Sequence, residues 1–347
     1  MFKDGKWIVN ETDIQKNIGK KLLLVRQHPF IDYFIYNYSQ NATLPKQFDE
    51  VLSECRGLIV DSQNNIIARP FKKFWHRDQT QDLPPETPRI FRKYDGSLVI
   101  SYDEAGKPAA ASRGSFDSPQ AIWATNWLRE RYKPNDFVRG HTYLFEAIYP
   151  ENKKLSRLVG DYGTFSGLVL LAVVNIKDGS ELDFTKEGER LGIKSTEVFD
   201  FNSIDDVIAH VKKDTFYEEG FVAYYPSTGL RIKVKSDHYE FRHRVARVLD
   251  KKHLWGWFKQ GYSAESLNSL LSAENRLLVC EYRDWLFAKQ KEMLEQARQF
   301  IDSINKDLTQ PERDKYIAAN AKHPALALAV ANGEDTAKAL WGLTKPE

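Results

Sequence analysis

The strongest constraint in this chain is a change of texture. From about residue 20 to residue 240 it is a series of short β-like runs, and beyond about residue 245 the apolar residues recur at helical spacing. The runs include Lys21–Arg26, Gly57–Val60, Asn65–Ala68, Ser97–Tyr102, Thr142–Tyr149, Leu168–Asn175, Phe221–Tyr225 and Leu230–Lys235. Gly, Asp, Asn and Pro punctuate them, as strand ends require. Two helical windows interrupt the series, Pro119–Tyr132 and Ser203–Lys213. Strands without regular strand–helix alternation predict an α+β domain built on antiparallel sheets. After it, Leu277, Leu278, Tyr282, Trp285, Leu286 and Lys289 predict one long helix to about Asn305, and Pro311 and Pro324 divide the remainder. The expected division is therefore residues 1–245 and an all-helical domain over 246–347. In that second domain Trp255, Trp257, Phe258 and Trp285 are expected in the core.

Composition excludes several classes. No run approaches the roughly 18–20 apolar residues of a membrane span, and the amino-terminal stretch has no apolar core of the secretory kind. The two cysteines, Cys55 and Cys280, suit a reducing compartment and build neither a disulfide framework nor a thiolate zinc site. These features predict a cytoplasmic protein with no membrane partner. A net charge of +2 rules out a uniform basic coat, so any nucleic-acid contact must come from local clusters. Arg242, His243, Arg244, Arg247, Lys251, Lys252 and His253 form one such stretch. It is either a solvated helix face or a grip on phosphates. His76, His141, His238 and His243 lack metal-ligand spacing.

The chemistry concentrates in four places. Lys93-Tyr94-Asp95-Gly96-Ser97 turns between two apolar runs, which alone is a common surface hairpin. Glu146 lies inside the apolar strand Tyr143–Ile148, pointing outward or buried against a cation. Glu219-Gly220 opens another strand. Arg231, Lys233 and Lys235 project from one face of one strand, a crowding of like charge that calls for an anion above it.

This ordered set resembles the covalent nucleotidyltransferases, namely DNA ligases, RNA ligases and capping enzymes, whose signature is Lys-x-Asp-Gly, a strand Glu, Glu-Gly and a late Lys-x-Lys. Further segments are similar to the tRNA-repair RNA ligases of T-even phages: Tyr36-Asn37-Tyr38, Glu54-Cys55-Arg56-Gly57, Arg69–Trp75, Ser112-Arg113-Gly114-Ser115, Pro150–Lys153 and Lys235–Tyr239. The resemblance covers about residues 30–245 and fades in the helical tail. Arg113 stands where that family has lysine, and Trp75 where it has phenylalanine.

The resemblance implies an adenylation domain on an antiparallel-sheet nucleotidyltransferase fold. Lys93 would be the nucleophile that takes AMP from ATP. Lys233 and Lys235 would contact the α-phosphate, and their charge would lower the Lys93 pKa. Glu219 would contact Mg2+, with Mn2+ an alternative metal, and Glu146 either the ribose hydroxyls or the metal. Arg56 and Lys73 would orient the outer phosphates. Tyr36, Trp75 and Arg113 would line the ATP site, and Gly96 and Gly220 would allow close backbone approach. The implied substrate is RNA with 5′-phosphate and 3′-OH ends, single-stranded or tRNA, acted on by a monomer, for example a phage-encoded one in a host cytoplasm. The competing readings are a DNA ligase, a capping-type enzyme and a noncatalytic RNA-binding protein on the same fold. The first two usually append a β-rich domain where this chain has a helical texture. No Gly-x-x-x-x-Gly-Lys-Ser/Thr occurs, which sets aside a P-loop ATPase.

Overall fold

The computed structural model describes residues 2–80, 82–155, 160, 162–213, 218–247, 249–268, 271 and 273–346. It separates into two compact units, Met1–Phe241 and Arg242–Glu347.

In the first unit, β1 (Phe2–Lys3) and β2 (Lys6–Trp7) form a hairpin ahead of α1 (Glu11–Gly19). The side chain of Asn10 caps α1 by accepting the Thr12 N–H at 3.0 Å. Next come β3 (Leu23–Gln27), β4 (Tyr33–Tyr38), α2 (Glu50–Glu54), β5 (Arg56–Asp61) and β6 (Ile66–Ala68), the four strands making one antiparallel sheet. They are followed by β7 (Trp75–His76), β8 (Arg89–Lys93), β9 (Ser97–Asp103) and β10 (Pro108–Ser112). The chain continues with α3 (Pro119–Arg131), β11 (His141–Ile148), α4 (Pro150–Leu155), β12 (Gly167–Asn175), β13 (Glu181–Leu182) and α5 (Phe184–Leu191). It ends with β14 (Val198–Phe199), α6 (Ile204–Val211), β15 (Gly220–Tyr225) and β16 (Leu230–Lys235). One five-stranded sheet is ordered β10-β9-β11-β12-β13 and the other β14-β8-β15-β16-β7, all antiparallel apart from the short β16–β7 pairing.

The nearly unbroken apolar runs of β11 and β12 have a packing reason. One face of their sheet buries Val99, Tyr143, Phe145 and Leu170 against Ala124 and Leu128 of α3. The other buries Ile100, Leu144 and Ala172 against Ile35, Ile59 and Ala68 of the first sheet. A strand covered on both sides needs apolar residues at every position.

The remaining sheet is two-faced. Ile90, Phe221, Ala223, Ile232 and Val234 pack on Ile204, Val207 and Val211 of α6. Alternation sends Phe91, Lys93, Val222, Lys233 and Lys235 to the opposite face, where the candidate site lies.

α7 (Asp237–Arg247) contains the division point, so the helical texture begins before the expected residue 245. The second unit continues with α8 (Lys251–Lys259), α9 (Ala264–Asn268), α10 (Ala273–Asp302), α11 (Gln310–Asn320), α12 (Pro324–Asn332) and α13 (Ala337–Leu343). Trp257 and Phe258 are buried as expected, but Trp285 is 54% exposed, as are Leu277 and Leu278 to a similar degree. Helical spacing places these three on α10 without saying which of its faces has a neighbour. The side chains of Arg242, Arg244 and Arg247, part of the basic stretch, lie outside the described residues. No described helix is long and apolar enough to cross a membrane.

Candidate active site

Strand register builds the centre of the site. Gly220 on β15 pairs with Lys93 on β8 and with Lys235 on β16. Both lysines therefore flank a residue with no side chain, on the same face of the sheet. Gly220 has φ +138°, and a Cβ there would overlap the Val234 carbonyl oxygen. Glu219, immediately before it, is 5% exposed and places one oxygen 2.7 Å from Lys93 Nζ and 2.9 Å from Lys235 Nζ. Burial pushes its carboxyl up, but the two ammonium groups hold it below the ordinary glutamate value.

The turn after Lys93 is locked from several sides. The Gly96 N–H donates to Glu146 Oε1 at 3.0 Å, and a Cβ at Gly96 would come within 2.7 Å of the Ala147 carbonyl and of Glu146 Cγ. Asp95 is buried and accepts from the Tyr239 hydroxyl and from the Gly160 N–H, both at 2.7 Å. The Asp95 N–H donates to the Tyr162 hydroxyl. Of the alternatives for Glu146, the structure realises the inward one. Burial raises its carboxyl to about 7, with Glu219 and Asp95 adding to the rise and Lys93 opposing it.

The expected lowering of the Lys93 pKa is not found. Burial alone would lower it, but Glu219, Glu146 and Asp95 together raise it above the ordinary lysine value. The lysine that is lowered is Lys233, to about 7, through burial and the nearby charges of Lys73, Lys235, Lys93 and Arg56. Sequence spacing revealed three crowded cations but not the acids that answer two of them. Arg231 donates to both carboxylate oxygens of Glu181, and Lys235 is paired with Glu219. Lys233 has no carboxylate partner among the described residues.

A cavity of about 210 Å³ opens over this face, with Arg56, Lys73, Lys93, Arg113, Glu146, Lys233 and Lys235 in its wall. Phe91, Leu98, Leu171 and Val222 supply an apolar portion. Arg56, Lys73 and Arg113, like Lys233, have no carboxylate ion-pair partner among the described residues. Arg56 Nη1 is buried with no hydrogen-bond partner. Four cations without a carboxylate ion pair among the described residues, one bearing an orphaned N–H group, form a site for a polyanion.

Five expected residues are not in this wall: Gly96, Glu219 and Gly220, which stand behind it as described above, and Tyr36 and Trp75. Tyr36 packs edge-on against Trp7 with ring centroids 4.9 Å apart. Tyr38, two residues on, borders the cavity instead, accepting from Arg113 Nη1 at 2.9 Å. A register shift between Tyr36 and Asn37 interrupts the pairing of β4 with β5 there, so alternation did not say which tyrosine borders the cavity. Trp75 lies against Lys73, whose Nζ is 4.3 Å from its ring centroid, 4.8 Å from that of Tyr38 and 5.4 Å from that of Phe48. These rings hold an ammonium group by the attraction of cation for π-face. Phe71 and Phe74 also border the cavity. Both lie within the segment Arg69–Trp75, but nothing in the sequence distinguished them from core residues.

The acids also bear on metal binding. Among the described residues no three His, Cys, Asp or Glu side chains converge as a metal site. Glu146 and Glu219 fit a hard divalent cation that keeps most of its waters and takes phosphate oxygens for the rest.

A family model described as RNA ligase matches residues 54–245. A putative bifunctional polynucleotide kinase/RNA ligase of Autographa californica nuclear polyhedrosis virus is 26% identical over 257 residues, covering 66% of this chain and 36% of that protein. The chain thus spans about a third of that relative's length. In structure the chain is similar to an archaeal ATP-dependent RNA ligase, at 15% identity and a TM-score of 0.48, covering 90% of this chain and 80% of that one. It is also similar to a Naegleria gruberi RNA ligase with PPi, at 14% identity and a TM-score of 0.36, covering 45% and 51%. With its match running through more than half of the sequence, including Lys93, Glu146, Glu219 and the Lys233–Lys235 strand, the chain belongs to the RNA ligase family.

Proposed function

We propose that this chain is an ATP-dependent RNA ligase that joins a 5′-phosphate to a 3′-OH through AMP carried on Lys93. The observation that carries the reading is the junction of half-buried Lys93, paired with buried Glu219, with four cations that lack carboxylate partners among the described residues. The cations suit a triphosphate, and the apolar residues beside them suit an adenine.

In the first step the Lys93 amine forms a bond to the α-phosphorus of ATP while the bond to the pyrophosphate oxygen breaks. Lys93 must lose a proton to attack, and it is paired with Glu219 beforehand. Release is easier when Glu219 has another cation to neutralise, and Lys235, 2.9 Å from the same oxygen, is one such cation. Arg56, Lys73, Arg113 and Lys233 hold and orient the phosphates, which is most of what a protein contributes to phosphoryl transfer. Glu219 and Glu146 would hold Mg2+ or Mn2+, which would supply charge neutralisation to the triphosphate. AMP then passes to the RNA 5′-phosphate, which frees Lys93. Attack by the RNA 3′-OH finally expels AMP and seals the strand.

The substrate is proposed to be single-stranded RNA or tRNA, joined by a monomer in the cytoplasm. Residues 1–245 would carry adenylation. Described residues beyond Arg247 form only helices, which weighs against a DNA ligase or capping enzyme with a β-rich appendage.

Incubation with α-labelled ATP and Mg2+, without RNA, tests the first step. Acid-labile label on the wild type and none on Lys93→Ala is the expected result. Label from GTP alone would favour a capping enzyme. No label from any nucleotide, in protein free of pre-bound AMP, would leave a binding protein.

A further inference from the structure

Behind the Lys93–Glu219 pair lies a second one, made by the adjacent residue of each. Lys93 and Arg92 are consecutive on β8 and project to opposite faces. Arg92 also borders the cavity; its Nε donates to Glu218 Oε2 at 2.8 Å and its Nη2 donates to Glu218 Oε1. Arg92 Nη1 donates to Glu197 Oε2 at 2.6 Å. Backbone contacts reinforce this, since the Arg92 N–H donates to the Glu197 carbonyl at 2.9 Å and Thr196 Oγ1 donates to the Arg92 carbonyl at 3.0 Å. Burial alone would lower the guanidinium pKa, but Glu218 and Glu197 raise it above its ordinary value.

Resting on the ligase reading, we infer that Arg92 is a positioning residue, which holds Glu219 over Lys235 through Glu218 while Lys93 carries AMP or has lost its proton. Glu219 has two cationic anchors on the cavity face, and the chemistry removes one of them. A lysine acylated by phosphorus is neutral and no longer pairs with a carboxylate. The Glu218 tie does not involve Lys93 and survives every step. Its fork geometry fixes orientation as well as distance, which a lysine cannot reproduce. Glu197 contributes a single further bond and anchors Arg92 toward β14.

The test separates steps. Wild type, Arg92→Ala, Arg92→Lys, Glu218→Arg and the exchanged pair Arg92→Glu/Glu218→Arg are compared in two assays. One is labelling by α-labelled ATP. The other is sealing of chemically pre-adenylylated RNA without ATP, which bypasses Lys93 as nucleophile. Melting temperatures are recorded for each. Arg92→Ala is expected to lose about tenfold or more in labelling and little in the ATP-free assay, where unmodified Lys93 keeps its pairing with Glu219, with Arg92→Lys in between and the exchanged pair recovering much of the loss. Wild-type labelling by Arg92→Ala would overturn the inference. So would a loss that tracks melting temperature alone and is not recovered by the exchange. Failure of the wild type in both assays would instead count against the ligase reading.

Discussion

Lys93 and Lys235 sit on opposite sides of Gly220, each its register partner, and share one oxygen of Glu219 between them. Glycine makes this possible because no side chain stands between the two ammonium groups. It also tolerates the positive φ that brings Glu219 round to them. Gly220→Ala is therefore expected to cost more than about 2 kcal/mol of stability in denaturant unfolding and to abolish adenylylation. An alanine variant that unfolds with the wild type would show that the register is held by other contacts.

Glu219 raises the pKa of the residue it is proposed to help. In ligand-free protein, Glu219→Gln should move the titration of Lys93 to lower pH. Amine-reactive modification of the peptide containing Lys93, followed by mass spectrometry against pH, reads this directly. Adenylylation should nonetheless fall, because the variant loses a contact to the metal-bound triphosphate. A Lys93 titration unchanged in Glu219→Gln would mean that Glu146 and Asp95 dominate.

Lys233 gives a pH dependence of defined sign. Its folded pKa of about 7 lies below the ordinary lysine value, so between those two values the unfolded chain holds the extra proton and stability rises with pH. At and below pH 7 the folded protein carries the full penalty of an unpaired, partly buried ammonium. Lys233→Met should raise the melting temperature most at pH 6–7, by roughly 2–4 °C for each kcal/mol recovered, and the gain should vanish above about pH 10. ATP should stabilise the wild type more than the variant. A gain independent of pH would assign the effect to packing.

Trp75 should act on nucleotide affinity through Lys73. Trp75→Leu removes one ring from beneath that ammonium and is expected to raise the KM for ATP by about 2- to 10-fold, from the usual strength of such contacts. Trp75→Phe should retain most of the affinity. The labelling assay across ATP concentrations measures both, and equal KM values for leucine and wild type would remove Trp75 from the site.

Local sequence was enough to specify most of the strands around the site, the helical tail, and the four chemical segments in order. Each is written in nearest-neighbour terms: alternation or an apolar run for a strand, 3.6-residue spacing for a helix, Asp-Gly or Glu-Gly where backbone must turn tightly. The identities of Lys93, Glu219, Lys233 and Lys235 were legible for the same reason. Which charge answers which was not. The partners of Arg231, Lys235 and Arg92 come from Glu181, Glu219 and Glu218, so two of these pairs join residues 50 and 126 positions apart. Spacing within one strand carries no information about such partners. The choice of Tyr38 over Tyr36 depended on a register shift against β5, and the exposure of Trp285 on what else packs against α10. Protonation was decided last of all. Lys93 and Lys233 are the same residue type with the same intrinsic pKa, and they part in opposite directions because folding brings three carboxylates to one and only cations to the other.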